Sequence, residues 1–335
     1  MRNLPWEKRR DLVTKVDEAT DSLYGCSPFD RSIPDYINYG LINLDKPSGP
    51  SSHEVVAWVK RILGLKRAGH GGTLDPRVTG VLPIALGEAT KVVGTFLLSG
   101  KEYVCVMRLH DDVPEKRVRS VIEEFVGEIF QRPPLRSSVK RSVRLRTIYY
   151  IDDVAFFGRR VLFKVGCQAG TYIRKLVYDV GEALGSGAHM EELRRTRAGS
   201  LSEEKDLISL YDLKYSHDLW VNNGDQSMLR SVIMPIENAL ELIPKIYVRD
   251  SAIASICHGA MLALPGIAKL ETGIKVRDIV ALLSLKGELV ALGNSNMCSE
   301  TMIKRDHGIA VNTKRVIMDL KTYPKFWHSR KNVKE

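Results

Sequence analysis

Two side chains in the stretch GHGGTLDPRVTG, residues 69–80, have the types for chemistry: the carboxylate of Asp75 and the imidazole of His70. Glycines and one proline surround them, so the backbone there is tightly shaped. An aspartate held on such a loop can act as a nucleophile or general base if it is ionised and aimed at a substrate. Asp-Pro is also a common way to start a turn, and spacing alone leaves both readings open. Other chemistries drop out. GHGG is not a GxGxxG fingerprint, and the chain has no GxxxxGK[ST] phosphate loop and no GxSxG nucleophile elbow. The cysteines Cys26, Cys105, Cys167, Cys257 and Cys298 form no CxxC pair, and the eight histidines form no HxxxH pair. That pattern predicts neither a metal site nor a disulfide framework, and it fits a reducing, cytoplasmic interior.

The elements that must carry these residues are legible in part. GLINLDKPSGPSSHEVVAWVKRILGL (40–65) reads as strand, turn and helix, with Ser51 and Glu54 at capping-box spacing and Val55, Val56, Val59, Ile62 and Leu63 on one apolar stripe. VLPIALG and KEYVCVMRL (101–109) read as strands, with an amphipathic run, EATKVVGTFLL, between them. VPEKRVRSVIEEFVGEI reads as a helix that opens near Pro114. Two strand-like runs near 147–157 and 160–167 precede a helix in which Ile173, Leu176, Val177 and Val180 share a side. Residues 1–36 lack periodicity and read as an extended arm. A boundary falls between Pro235 and Pro244. Short β-like runs with glycine turns follow, with DSAIASICHG as a helix capped by Asp250 and stopped by Gly259. They predict a compact barrel.

Over 335 residues the net charge is +10, a balance that suits a polyanion such as nucleic acid. From Gln131 to Ile151 there are six cations and no acid: Arg132, Arg136, Lys140, Arg141, Arg144 and Arg146. Prolines and serines make the first part a loop, and the missing acids favour phosphate contact over a plain solvated surface. The N-terminus has no apolar run of the signal-peptide kind, and no stretch approaches the length of a membrane span.

GHGGTLDPRVTGVLP resembles the catalytic motif of the TruB-type pseudouridine synthases. INLDKPSGPSSHEV, KEYV (101–104), GTYIR (170–174) and LRRTRAG (193–199) follow the family pattern in the same order, and the C-terminal segment is similar to a PUA RNA-binding domain. The arm before GLINLDKPSG and the short basic end at KNVKE are similar to the archaeal form of the dyskerin branch, whose members are catalytic subunits of H/ACA guide-RNA particles. The resemblance implies an α+β fold. It places an N-terminal arm at 1–36 that packs on the PUA domain, a catalytic domain at 37–245 with a mixed or antiparallel sheet flanked by helices, and a small β-barrel-like PUA domain at 246–335.

It also implies a reaction without metal or cofactor, in which a uridine of RNA is converted to pseudouridine. By resemblance Asp75 is the catalytic carboxylate and Arg174 the arginine that holds it ionised and oriented. Tyr103 is the aromatic that stacks on the flipped base. His70, Tyr172 and Leu193 line the substrate pocket, and Lys46 and Pro47 brace the loop. Gly71 and Gly72, which lack a Cβ, let RNA approach. His258, Gly259 and Ala260 are candidates for gripping the guide. The implied partners are an H/ACA guide RNA, rRNA with tRNA as an alternative substrate, and small accessory proteins, with no membrane. A stand-alone synthase for the tRNA T-loop remains open. So does an RNA-binding scaffold without catalysis, against which Asp75, Tyr103 and Arg174 argue. The basic segment from RPPLRSSVKRSVRLR onward reads as shorter than the corresponding bacterial insertion, which favours delivery of the target by a guide.

Overall fold

The computed structural model describes residues 4–7, 9–133 and 142–325. Arg136, Lys140 and Arg141 of the basic run lie outside the described residues. The chain divides into two compact units: residues 1–6, 42–84 and 93–232 form one, and residues 7–41, 85–92 and 233–335 the other.

The first unit is built on a mixed sheet. Its path runs through strands Thr79–Leu86, Ala188–Ala198, Lys101–Leu109, Arg160–Cys167, Arg144–Phe157 and Gly127–Gln131. Thr79–Leu86 pairs in parallel with Ala188–Ala198, and the pairings beyond it are antiparallel. Helix Glu115–Glu124 buries Val118, Val121 and Ile122. Helix Ile173–Leu184 buries Ile173, Leu176, Val177, Val180 and Leu184. Both stripes meet Cys105, Met107, Val161, Phe163 and Val165 in one core. Helices on a mixed sheet give the α+β class.

Helix Ser52–Ile62 carries the expected capping box: Ser51 Oγ accepts from Glu54 N at 3.2 Å, and Glu54 Oε2 accepts from Ser51 N at 2.8 Å. Sequence reasoning missed strand Ala188–Ala198. Its run of charges looks unlike a strand, but those charges find partners: Arg160 Nη2 is 2.8 Å from Glu191 Oε1, and Arg194 reaches Asp45 at 2.9 Å and Glu203 at 2.7 Å.

In the second unit a seven-stranded sheet runs in the order Leu12–Thr14, Ile267–Glu271, Lys245–Val248, Ile279–Leu283, Leu289–Ser295, Ile309–Val316, Leu262–Ala263. Its core gathers Ile246, Val248, Ile253, Ile256, Leu270, Val280, Leu282, Val290 and Val311. The arm adds the edge strand Leu12–Thr14, antiparallel to Ile267–Glu271. Helix Asp250–Cys257 ends before Gly259, which takes φ +89°, as the stop signal requires. Asp250 is not the cap. Arg249 holds the cap position, and the buried Asp250 carboxylate instead accepts from Thr20 Oγ1 at 2.9 Å and Asp21 N at 2.8 Å. Among the described residues, no helix is long and apolar enough to cross a membrane.

Candidate active site

The site lies in the first unit, on the loop that joins strand Ala68–His70 to strand Thr79–Leu86. That loop is held from inside. Lys46, fully buried, donates from Nζ to the carbonyls of Pro47 (2.8 Å), Pro76 (2.8 Å) and Val78 (2.9 Å). Gly49 N donates to Pro76 O at 2.9 Å. Ser52 Oγ accepts from Leu74 N at 2.9 Å and donates to Leu74 O at 3.1 Å. The bracing role expected of Lys46 is therefore a set of three carbonyl bonds. Asp75 does start a turn, since its carbonyl accepts from Val78 N at 3.0 Å. The turn and the chemistry coexist: the backbone of Asp75 makes the bend, and its side chain points away.

That side chain meets Arg174, whose Nη2 donates to Asp75 Oδ2. Both side chains are more than half exposed, at 54% and 58%, so the pair faces an accessible surface and is not a core tie. Arg174 is the second residue of helix Ile173–Leu184. Gln131, buried at 2% and overlooked in sequence, fixes the start of that helix by accepting from Tyr172 N at 2.9 Å and donating to Tyr172 O at 3.2 Å. Tyr172 is thereby placed by its backbone one residue ahead of Arg174.

Tyr103 is half-buried on strand Lys101–Leu109, directly across from Arg195, and Leu193 is across from Cys105. Tyr103 and Leu193 both pack against the main core of this unit. Burial pushes the Tyr103 phenol up; the Arg195 guanidinium opposes that shift, and Asp75 is close enough to act on it by charge. Asp75 likewise acts on Lys46. Asp75 thus pairs directly with Arg174 and acts by charge on Tyr103 and Lys46.

His70 ends strand Ala68–His70, and its Nδ1 accepts from Gly72 N at 3.4 Å, which leaves the ring proton on Nε2. Its pKa is lowered, first by burial and then by the charges of His53 and Arg195, so the ring is neutral near pH 7. His53, whose ring centroid is 5.0 Å from that of His70, is exposed on helix Ser52–Ile62 and carried no signal in the sequence. The two glycines differ. Gly72 takes φ +131°, a conformation that needs glycine. At Gly71 a Cβ would lie 2.7 Å from Phe96 Cβ, so its missing side chain makes room for Phe96 and opens no face to RNA.

His258, Gly259 and Ala260 belong to the other unit. They are exposed at the end of helix Asp250–Cys257, where His258 Nδ1 lies 2.7 Å from Ala254 O and Ala260 O accepts from Thr313 Oγ1 at 2.7 Å. Among the described residues, no group of three or more His, Cys, Asp or Glu side chains could hold a metal.

With this geometry in view, comparison with known proteins defines the class. The model for the TruB family pseudouridylate synthase N-terminal domain matches residues 60–173, and that for the tRNA pseudouridylate synthase B C-terminal domain matches 174–241. A DKCLD (NUC011) domain matches 2–56 and a PUA domain 244–317. The class is an RNA pseudouridine synthase, an isomerase with an attached RNA-binding module. A "Probable tRNA pseudouridine synthase B" of Methanopyrus kandleri is 57% identical, over 97% of this chain and 96% of its own. A protein of the same name from Pyrococcus abyssi is 54% identical over 97% of this chain and 98% of its own. Among solved structures, an H/ACA RNP bound to a substrate RNA containing 2'-deoxyuridine holds a similar chain, with TM-score 0.91 and 50% identity, covering 97% of this chain and 100% of that one. A Cbf5-Nop10-Gar1 complex holds another, with TM-score 0.92 and 52% identity, covering 97% and 99%. The chain belongs to the TruB family of pseudouridine synthases, in its archaeal dyskerin branch.

Proposed function

We propose that this chain is the catalytic subunit of an H/ACA guide-RNA particle and isomerises guide-selected uridines of rRNA. The observation that carries the reading is its likeness, over nearly its whole length, to a chain solved in an H/ACA RNP with substrate RNA bound. The partners it fits are a guide RNA and small accessory proteins of the Nop10 and Gar1 kind, which accompany the similar chain of a second structure.

The reaction breaks the bond between N1 of uracil and C1′ of the ribose. The base turns, a bond forms between C5 and C1′, the proton on C5 leaves, and N1 gains one. A base inside a stack cannot be reached, so the uridine is flipped out first. Asp75 meets the nucleoside as the ionised carboxylate, with Arg174 fixing its direction by a charged hydrogen bond. Tyr103 offers a ring face to the uracil and a hydroxyl within reach of the Asp75 charge. His70, neutral and with Nε2–H free to donate, contacts the RNA and moves no proton. Tyr172 and Leu193 wall the pocket. In the other unit, His258, Gly259 and Ala260 grip the guide at an exposed helix end where a small-residue turn admits close approach.

A second reading has its own support: relatives carry the name tRNA pseudouridine synthase B, which fits direct action on a tRNA T-loop. Incubation of labelled rRNA fragments and of labelled tRNA, each with and without a matched guide and accessory proteins, separates the two. Pseudouridine in the rRNA fragment that appears only with the guide supports the first reading. Equal yield in rRNA without the guide would overturn it, and guide-free product in tRNA would establish the second activity beside it.

A further inference from the structure

Arg195 is 1% exposed and ranks among the largest fully buried side chains. Its Nε donates to Val81 O at 2.7 Å and its Nη2 to Gly72 O at 3.1 Å. Tyr103 stands directly across the sheet from it, and the two side chains act on one another by charge. Two carbonyls and a phenol are not counter-ions, and a buried cation without a carboxylate is costly to keep. A second buried cation lies beside it. Lys101, 6% exposed, donates from Nζ to Phe96 O (2.7 Å), Leu97 O (3.2 Å) and Ser99 O (2.6 Å). A Cβ on Gly72 would stand 3.4 Å from Arg195 Nη1 and 4.0 Å from Lys101 Cε, so the loop closes directly onto these two side chains.

The chemistry of the groups fixes what this arrangement does. A guanidinium has donors and no acceptor, so toward the phenol directly across the sheet it can only donate. The same guanidinium holds the carbonyl of Gly72, three residues before Asp75. We propose that Arg195 is a positioning residue of the isomerisation: it sets the Tyr103 hydroxyl against the Asp75 loop and keeps fixed positive charge behind the base as negative charge develops on it. Preorganised charge of this kind costs no rearrangement at the moment of reaction. The proposal rests on the role given to Tyr103 above.

A double-mutant cycle in the guide-loaded particle tests it, read as single-turnover isomerisation with substrate binding measured separately. Arg195→Lys keeps the charge but loses the fork. Arg195→Gln removes the charge and keeps a donor, and it supplies the cycle if the lysine variant does not fold by thermal melt. In wild-type background each should slow the chemical step about tenfold or more, with RNA binding held within about twofold. In a Tyr103→Phe background the same change should cost less than about threefold, because the group it acts through is gone. Equal losses in both backgrounds would overturn the proposal and leave Tyr103 in its role. Full activity of Tyr103→Phe alone would instead remove the hydroxyl from the role given to Tyr103, and the Arg195 proposal with it.

Discussion

Asp75 projects from a loop whose carbonyls at Gly72, Leu74, Pro76 and Val78 are already engaged, and this lets one exposed carboxylate keep a fixed direction without burial. Tyr103 is the residue whose chemistry is most open to dissection. Tyr103→Phe keeps the ring and removes the hydroxyl, and Tyr103→Ala removes both. If the hydroxyl takes part in proton movement, the phenylalanine variant should lose about a hundredfold or more in single-turnover rate while binding RNA normally. If only the face matters, it should be close to wild type and the alanine variant alone should fail. Full activity in the alanine variant would remove Tyr103 from the site. Quantifying pseudouridine after rapid quench distinguishes these outcomes. At this scale the sequence was legible where a motif names the residue, as at Asp75 and Arg174, which the structure pairs, and at Tyr103, on which the Asp75 charge acts. It was silent on Gln131, His53, Lys101 and Arg195. Each of these owes its place to a neighbour distant in the chain, and no local pattern encodes that.

Among elements, the loop and the sheet behind it share one interior, so the glycines are under two different constraints. Gly71→Ala keeps a permitted backbone but drives a Cβ to 2.7 Å from Phe96 Cβ. It should cost about 1–3 kcal/mol of stability through overpacking and slow the reaction by displacing the Asp75 loop. Lys46→Met should do at least as much, because the buried Val78 carbonyl loses its donor and Pro47 O and Pro76 O lose theirs with it, Pro76 O keeping Gly49 N. A loss of roughly 1–3 kcal/mol follows from the one buried carbonyl left unsatisfied. Chemical denaturation measures both, and an unchanged midpoint for Lys46→Met would remove the bracing role. Periodicity and caps made the helices at 52–62, 115–124 and 173–184 readable. Strand Ala188–Ala198 was hidden by charges that are satisfied across strands, and strand Ile267–Glu271 passed unread beside its neighbours. Asp250 looked like a cap in sequence because helix starts and arm anchors use the same side chain, an acceptor for backbone N–H.

At the scale of the whole molecule, the second unit shows how an arm without a core of its own is kept in place. Lys286 and Asp250 hold its backbone, Arg31 pairs with Glu237 at 2.7 Å, and Glu288 lies buried under Gly25 and accepts from Ser284 Oγ at 3.0 Å and Tyr323 OH at 3.3 Å. Burial raises the Glu288 carboxyl above its ordinary 4.5. The folded state therefore binds the proton more tightly than the unfolded one. The resulting stabilisation is complete at pH below 4.5 and is lost as pH rises through the folded value. Glu288→Gln removes that dependence, so the stability advantage of wild type over the variant should shrink as pH is raised from 4.5 toward neutrality. An advantage that grows with pH would mean that the ion, and not the acid, is the favoured form.

The central claim is that Asp75 performs an isomerisation on RNA that a guide delivers. Its most direct measurement is the yield of pseudouridine from labelled target RNA in the fully assembled particle, with wild-type protein and with Asp75→Asn, alongside the RNA affinity of each. The asparagine has the same size but is neither nucleophile nor base. Unchanged affinity with no detectable pseudouridine is the predicted result, and turnover by Asp75→Asn within about tenfold of wild type would contradict it.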